Sequence, residues 1–256
     1  SVYANTDPER TTLIIKGSVI PVQRSAAPAY GHTMGTLGLK AVHVPFFEVY
    51  TNKTKVEKID IINNGKTPLT LEFDKVPRHL DVSVLPETLS PGQKGRILIT
   101  YHADRAKDWG IRRDEFWVKL PSSDKPQPQN KITVSADIQE DYSGMTPDQI
   151  AKAPHLEIGN DLVDFGTIKG NAAASKSVSL TNTGVSNLQI RKVNNESQVV
   201  SVSLPQMSIQ SGKSIDMKIT VRPSKSRSRL LNHRIFIITN DPARPTISLP
   251  VVATFE

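Results

Sequence analysis

Ile59-Asp60-Ile61-Ile62-Asn63-Asn64-Gly65, followed by Leu69 and Leu71, recurs in the same chain as Val178-Ser179-Leu180-Thr181-Asn182-Thr183-Gly184, followed by Leu188 and Ile190. Two more segments repeat in the same order. Val44-Pro45-Phe46-Phe47-Glu48-Val49 matches Val163-Asp164-Phe165-Gly166-Thr167-Ile168. Leu89-x-x-Gly92 with Ile97, Ile99 and Tyr101 matches Ile209-x-x-Gly212 with Met217, Ile219 and Val221. The matches lie roughly 119–120 residues apart, and ordered matches at a constant offset are the mark of an internal repeat.

Within each repeat, apolar residues alternate with polar ones over short runs. Ile59/Ile61, Val82/Val84, Phe116/Val118/Leu120 and Ile132/Val134/Ala136 are examples from the first, and Met217/Ile219/Val221 and Ile247/Leu249/Val251 from the second. A period of two marks half-buried strands. Many such strands, separated by turn signals at intervals near ten residues, predict tandem antiparallel β-sandwiches of immunoglobulin-like type, an all-β fold class. The expected units are sandwiches at 41–138 and 156–256. Residues 23–40, with Pro28, Gly31, Gly35 and Gly38, read as a linker, and 139–155 as a second linker with a short helix. Thr146-Pro147-Asp148-Gln149 carries a capping threonine, a first-turn proline and a glutamine three residues past the cap, so helix is expected at 146–152. Phe46 and Phe165, the shared aromatic, are expected to anchor the two cores.

Residues 1–22 echo the end of the chain: Asp7-Pro8-Glu9-Arg10-Thr11-Thr12-Leu13 resembles Asp241-Pro242-Ala243-Arg244-Pro245-Thr246-Ile247. They read as the closing strands of a preceding, truncated repeat, with an apolar face of Leu13, Ile15 and Val19. Such strands are expected to dock on a sheet edge, retain a fragment of the missing domain, or self-associate by strand pairing with another molecule.

Composition narrows the function classes. The chain of 256 residues holds no cysteine, which removes disulfides, thiolate metal sites and a cysteine nucleophile. No run of about 18 apolar residues exists to cross a membrane as a helix. The six histidines, His32, His43, His79, His102, His155 and His233, show no zinc-ligand spacing, and His102-x-Asp104 is the closest pair. No nucleophile elbow, phosphate loop or calcium loop is present. No catalytic residue, metal site or cofactor is therefore expected, and the chain reads as a non-enzyme.

The net charge is +7, and part of the excess lies at Lys218, Arg222, Lys225, Arg227, Arg229 and Arg234. That stretch is a candidate contact for an anionic glycan or membrane surface. It lacks the interleaved aromatics that would suit nucleic acid, so no specific nucleic-acid recognition is expected. Trp109, beside Gly110 and Ile111, is a candidate interface anchor.

The repeated segments, together with Thr239-Asn240-Asp241-Pro242, resemble the immunoglobulin-like repeats of the ASH/Hydin and major-sperm-protein group. The nearest branch looks like a family of exported bacterial proteins, common in Bacteroidetes-type bacteria, whose function is unknown. Phe47 stands where that pattern has glycine, and the Asn-Asp-Pro turn is lost at Ser122-Ser123-Asp124-Lys125-Pro126. A Cys-Gly-Cys element common in the family is replaced here by Val193-Asn194-Asn195-Glu196. The resemblance implies a PapD-like sandwich and export to the periplasm or cell surface, with no established activity. The leading expectation is a protein-binding or scaffolding module of the bacterial cell envelope with protein partners there. The alternative is a carbohydrate- or envelope-polymer-binding module.

Overall fold

A computed structural model describes residues 2–3, 10–11, 29–120 and 127–256. At the front, β1 (Val2–Tyr3) and β2 (Arg10–Thr11) form a short antiparallel ladder. The expected apolar strand face of Leu13, Ile15 and Val19 lies outside the described residues, as do 23–28 and the lost turn at 122–126.

The first sandwich follows in chain order as β3 (His32–Met34), β4 (Leu37–Leu39), β5 (His43–Tyr50), β6 (Thr54–Asn63), β7 (Leu69–Thr70), β8 (Glu72–Asp74), β9 (Leu80–Leu85), β10 (Thr88–Leu89), β11 (Lys94–His102), the single-turn helix α1 (Ala103–Ala106), β12 (Gly110–Lys119) and β13 (Lys131–Gln139). One sheet has the order β3-β4-β6-β11-β9 and the facing sheet β5-β13-β12-β8, with β7 and β10 paired as a small ladder. The inward residues, among them Phe46, Ile59, Ile61, Ile97, Ile99, Phe116 and Val134, form one buried core. Removing such apolar surface from water is the main stabilising term of a sandwich.

The connecting helix α2 (Pro147–Ala151) forms where its capping residues predict it. Thr146 accepts from the Gln149 backbone, and the Gln149 side chain accepts from the Thr146 backbone. The second sandwich comprises β14 (Leu156–Ile158), β15 (Val163–Ile168), β16 (Ala174–Asn182), β17 (Leu188–Asn194), β18 (Val200–Ser203), β19 (Ser208–Ile209), β20 (Ser214–Val221), β21 (Leu230–Thr239) and β22 (Thr246–Phe255). Its sheets run β14-β16-β20-β18 and β15-β22-β21-β17-β19, around a separate buried core. The fold is thus all-β, tandem immunoglobulin-like sandwiches joined through a short helix.

The repeated asparagine is the staple of each sandwich. Asn63 is fully buried; its amide donates to the carbonyls of Thr67 at 2.8 Å and Leu89 at 2.9 Å, and its oxygen accepts from Gly65 N at 2.8 Å. Asn182, equally buried, donates to Ser186 at 2.8 Å and Ile209 at 2.9 Å and accepts from Gly184 N at 3.0 Å. One side chain thereby satisfies both sides of a turn and ties it to the next strand pair, as a buried amide requires. Gly184 has a further reason to be glycine: a Cβ there would meet Ala153 O and His155 N at 2.4 Å.

Two expectations need correction. Residues 32–39 are not linker. Met34, Leu37 and Leu39 are buried, and Leu37 pairs with Asn63 just as Leu156 pairs with Asn182. The glycines that suggested a flexible stretch serve packing instead: Gly35 makes a turn at φ 57, and a Cβ on Gly38 would collide with Ile62 and Asn64 at 2.8 Å. The shared aromatic is also not equally an anchor. Phe46 is fully buried, with Tyr101 at 5.3 Å between ring centroids, whereas Phe165 is half-buried and lies under Lys176 Nζ at 5.7 Å. Tyr101 has Val221 at its matched position, which offers the second aromatic no ring to pack against.

Candidate functional site

The strongest concentration of interacting polar side chains lies where the two sandwiches meet. After α1 the backbone turns sharply, with Lys107 at φ 50 and Gly110 at φ 68. A Cβ on Gly110 would sit 2.3 Å from Ile238 Cδ1, so this glycine lets the second sandwich approach the first. Between these positions stand Asp108 and Trp109.

Facing them, β17 contains a bulge between Ile190 and Lys192 where it pairs with β21. A bulge re-aims side chains, and here Arg191 and Lys192 both reach the first sandwich. Lys192 Nζ donates to Asp108 Oδ1 at 2.8 Å. The Arg191 guanidinium lies 5.2 Å from the Trp109 ring centroid and donates to Glu140 Oε1 at 2.6 Å. Glu140 also accepts from Tyr142 Oη.

From Asp108 the chain of contacts runs inward. Arg112 donates to Asp108 at 3.1 Å and forks onto Asp114 through Nε and Nη2, each at 2.9 Å. Asp114 pairs with the buried His79 at 2.8 Å. His79 packs on Tyr101 at 5.1 Å, and the Tyr101 hydroxyl has no hydrogen-bond partner among the described residues. Burial disfavours a charged Asp114, but hydrogen bonds from His79 and Arg112 outweigh it and hold the carboxyl below its usual range. Burial likewise opposes the charge of Asp108, and bonds from Lys192, the Trp109 amide and Arg112 reverse the sign. Burial pushes the Tyr101 phenol up.

Beside this joint lies a cleft of about 490 Å³, lined by residues that include Tyr142, Met145, Lys152, Arg191 and Asn240. Its lining mixes apolar and polar groups, the character of a seat for a peptide segment or a small polar molecule.

Trp109 is thus half-buried at the joint, where Arg191 covers it. The six cations of the basic stretch are exposed but do not share one surface. Lys218 points outward from the sheet containing β20, between the buried Met217 and Ile219, while Arg234 points outward from the opposite sheet and touches Ser248. Arg222 donates to Ser201 at 2.6 Å. Lys225, Arg227 and Arg229 occupy the loop between β20 and β21. His102 does not pair with Asp104 but with Asp81 across the sheet, at 2.6 Å, and His155 pairs with the buried Asp241 at 3.0 Å. Among the described residues no group of three or more His, Asp or Glu side chains is arranged to hold a metal. Sequence reasoning missed Asp108, Arg191 and Lys192; the signal was two adjacent cations directly after Ile190, where strict alternation ends.

Comparison with known proteins supports the architecture. The HYDIN/CFA65/VesB-like Ig-like domain family matches residues 154–254, the second sandwich. No curated protein matches the sequence. A protein of unknown function from Porphyromonas gingivalis W83 is similar over 86% of this chain and 100% of its own, at 18% identity and a TM-score of 0.61. The ASH/PapD-like domain 7 of human CEP192 aligns with 51% of this chain and 99% of its own, at 12% identity and a TM-score of 0.31. The YadV chaperone aligns with 84% of this chain and 99% of its own, at 13% identity and a TM-score of 0.27. The Porphyromonas gingivalis match shows a shared fold across most of the chain, and the family match places an Ig-like domain over the second repeat.

Proposed function

We propose that the chain is a non-enzymatic protein-binding or scaffolding module of the bacterial cell envelope, exported to the periplasm or cell surface, with the junction cleft as the seat for a segment of a partner protein. The observation that carries this reading is the joint itself. Asp108 and Trp109 from one sandwich and Arg191 and Lys192 from the other are spent on fixing two sandwiches in one arrangement. Charge-assisted hydrogen bonds of this kind set geometry more than they add stability. Fixed geometry benefits a scaffold, because a partner spanning both units meets a preorganised surface. Of the His–Asp pairs in the described residues, His79 with Asp114 and His155 with Asp241 have buried carboxylates that tie neighbouring segments together, and His102 with Asp81 is a cross-strand pair at the surface.

The test is a cross-linking pull-down from envelope extract with the protein as bait. The reading expects a discrete protein partner cross-linked at Met145 or Lys152, and its loss in Met145→Glu. Partners cross-linked only elsewhere, or recovery only from cytosolic extract, would overturn it.

A further inference from the structure

Phe47 breaks two rules at once. Its backbone is left-handed, at φ 52, and its ring is 71% exposed. Bulky residues avoid that backbone region, and large apolar side chains lose by standing in water. The second repeat shows the alternative. There the same bulge carries Gly166 at φ 62, with neither strain nor ring.

The backbone device is common to both repeats. Each edge strand runs parallel to the last strand of its repeat with a register shift, between Ser135 and Asp137 in one pair and between Asp164 and Thr167 in the other. Each is pinned by a lysine from the facing sheet: Lys55 donates to Phe46 O and Glu48 O, Lys176 to Asp164 O. The lysines come from different strand positions and reach different carbonyls, but the bulge itself is shared.

In the first repeat the bulge exposes Phe47 and Glu48 side by side. Together with Tyr50, Lys55 and Asp137 they line a hollow of about 470 Å³. Glu48 stands opposite Asp137 across the strand pair. Burial pushes the Asp137 carboxyl up; the Gln139 amide opposes this, and the charge of Glu48 adds to it. The Lys55 ammonium is turned onto backbone carbonyls. Lys53 is held by Asp141 at 2.6 Å and lies 5.5 Å from the Tyr50 ring centroid. Two carboxylates thus share the hollow with the Phe47 ring, Glu48 accepting from Tyr50 Oη at 3.1 Å and Asp137 from Gln139 at 2.7 Å, and no cation of the described residues lies over that ring. At the matched places the second repeat has Gly166, Thr167 and Thr254, without ring or acid.

We propose that this hollow is a binding site for a cationic side chain, arginine in preference to lysine, presented on an exposed segment of a partner protein. Arginine fits because its flat guanidinium stacks on an aromatic face while its fork meets carboxylates. The chain's overall charge of +7 repels polybasic runs, so the partner offers an isolated arginine. The inference rests on the reading of the chain as a protein-binding module and places a second contact on it, on the outer face of the first sandwich.

The probe is acetyl-Gly-Arg-Gly-amide, with the uncharged citrulline peptide as its isostere, titrated into the protein and followed by NMR. Saturable amide shifts are expected at Glu48, Val49 and Asp137, with citrulline binding roughly tenfold weaker. Phe47→Gly should keep the fold, since its twin is Gly166, and should weaken the arginine peptide roughly tenfold. Arg191→Ala at the junction should leave the titration unchanged, so a failure here is separable from a failure of the cleft reading. Equal binding of the citrulline peptide, no loss in Phe47→Gly, or no saturable shift at these residues up to the solubility of the peptide would overturn the proposal.

Discussion

The two sandwiches share their staples and differ in what the staples leave free. Asn63 and Asn182 make the same three hydrogen bonds to the same kinds of partner. Around that constant frame the first repeat buries a polar cluster of His79, Asp114 and Tyr101, whereas the second has Val199, His233 and Val221 at the matched positions. The first also exposes Phe47 where the second has Gly166. The lesson is that hydrogen-bonding side chains at turns hold the repeat, while bulge and strand-centre positions tolerate specialisation.

The harshest challenge to this comparison is to remove the staples. Asn63→Ala orphans one backbone N–H and two carbonyls, and Asn182→Ala the same groups plus His155 N, so at roughly 1 kcal/mol per lost hydrogen bond they should cost their own sandwiches about 3 and about 4 kcal/mol. Denaturant unfolding read separately for each sandwich checks this. A large cost in one and none in the other would mean the frame is not shared.

Exchanging the bulge residues sharpens the same comparison from the other side. Gly166→Phe should destabilise the second sandwich by about 1–2 kcal/mol, the penalty of a side chain in the left-handed region. Phe47→Gly should stabilise the first by less, about 0.5–1 kcal/mol, because glycine loses more backbone entropy on folding. Thermal melts of the single and exchanged variants give the signs directly.

Acid should then separate the repeats. The Asp114 carboxyl is held low, so its stabilising effect is complete above the unfolded carboxylate value near pH 4 and is lost as pH falls through the lower folded value. Asp114→Asn should flatten that part of the acid transition in the first sandwich. Burial lowers the pKa of His233, so the second sandwich should lose a little stability earlier, as pH falls below about 6.5. Hydrogen exchange as a function of pH would show the two windows, and a single common window would refute the contrast.

The smallest effect is expected at the loop carrying Lys225, Arg227 and Arg229, whose counterpart in the first repeat is the β11–β12 connection that bears Asp108 and Trp109. Replacing Arg227 and Arg229 with glutamate should abolish a weak retention on anionic vesicles or heparin. Physiological salt should already remove most of it, because screening there acts over about 8 Å.

Much of this was legible in the sequence. Strands such as Ile97/Ile99/Tyr101 declare themselves by alternation, and α2 by its cap and proline, because both signals are local. Leu37–Leu39 carries the glycines of a linker, and only the packing of Ile62 and Asn64 against Gly38 explains them. The pairs of the junction were invisible for a different reason. Arg191 with Glu140 and Lys192 with Asp108 are brought together by the docking of two domains, and no spacing along the chain encodes that distance. His102 shows the same limit on a smaller scale: its partner is Asp81 across the sheet, not Asp104 two residues on.

The lysines that reach from one sheet to the bulged edge of the other, Lys55 and Lys176, have a consequence for chains built of many such units. An edge strand with open carbonyls is a template on which a neighbour can polymerise. With a cation lodged on bulge carbonyls of the β5 or β15 edge in each sandwich, that edge is blunted as a template. The number of sandwiches in series then becomes a quantity that evolution can vary as a ruler is lengthened, with reach changing while this edge of each added unit arrives already closed.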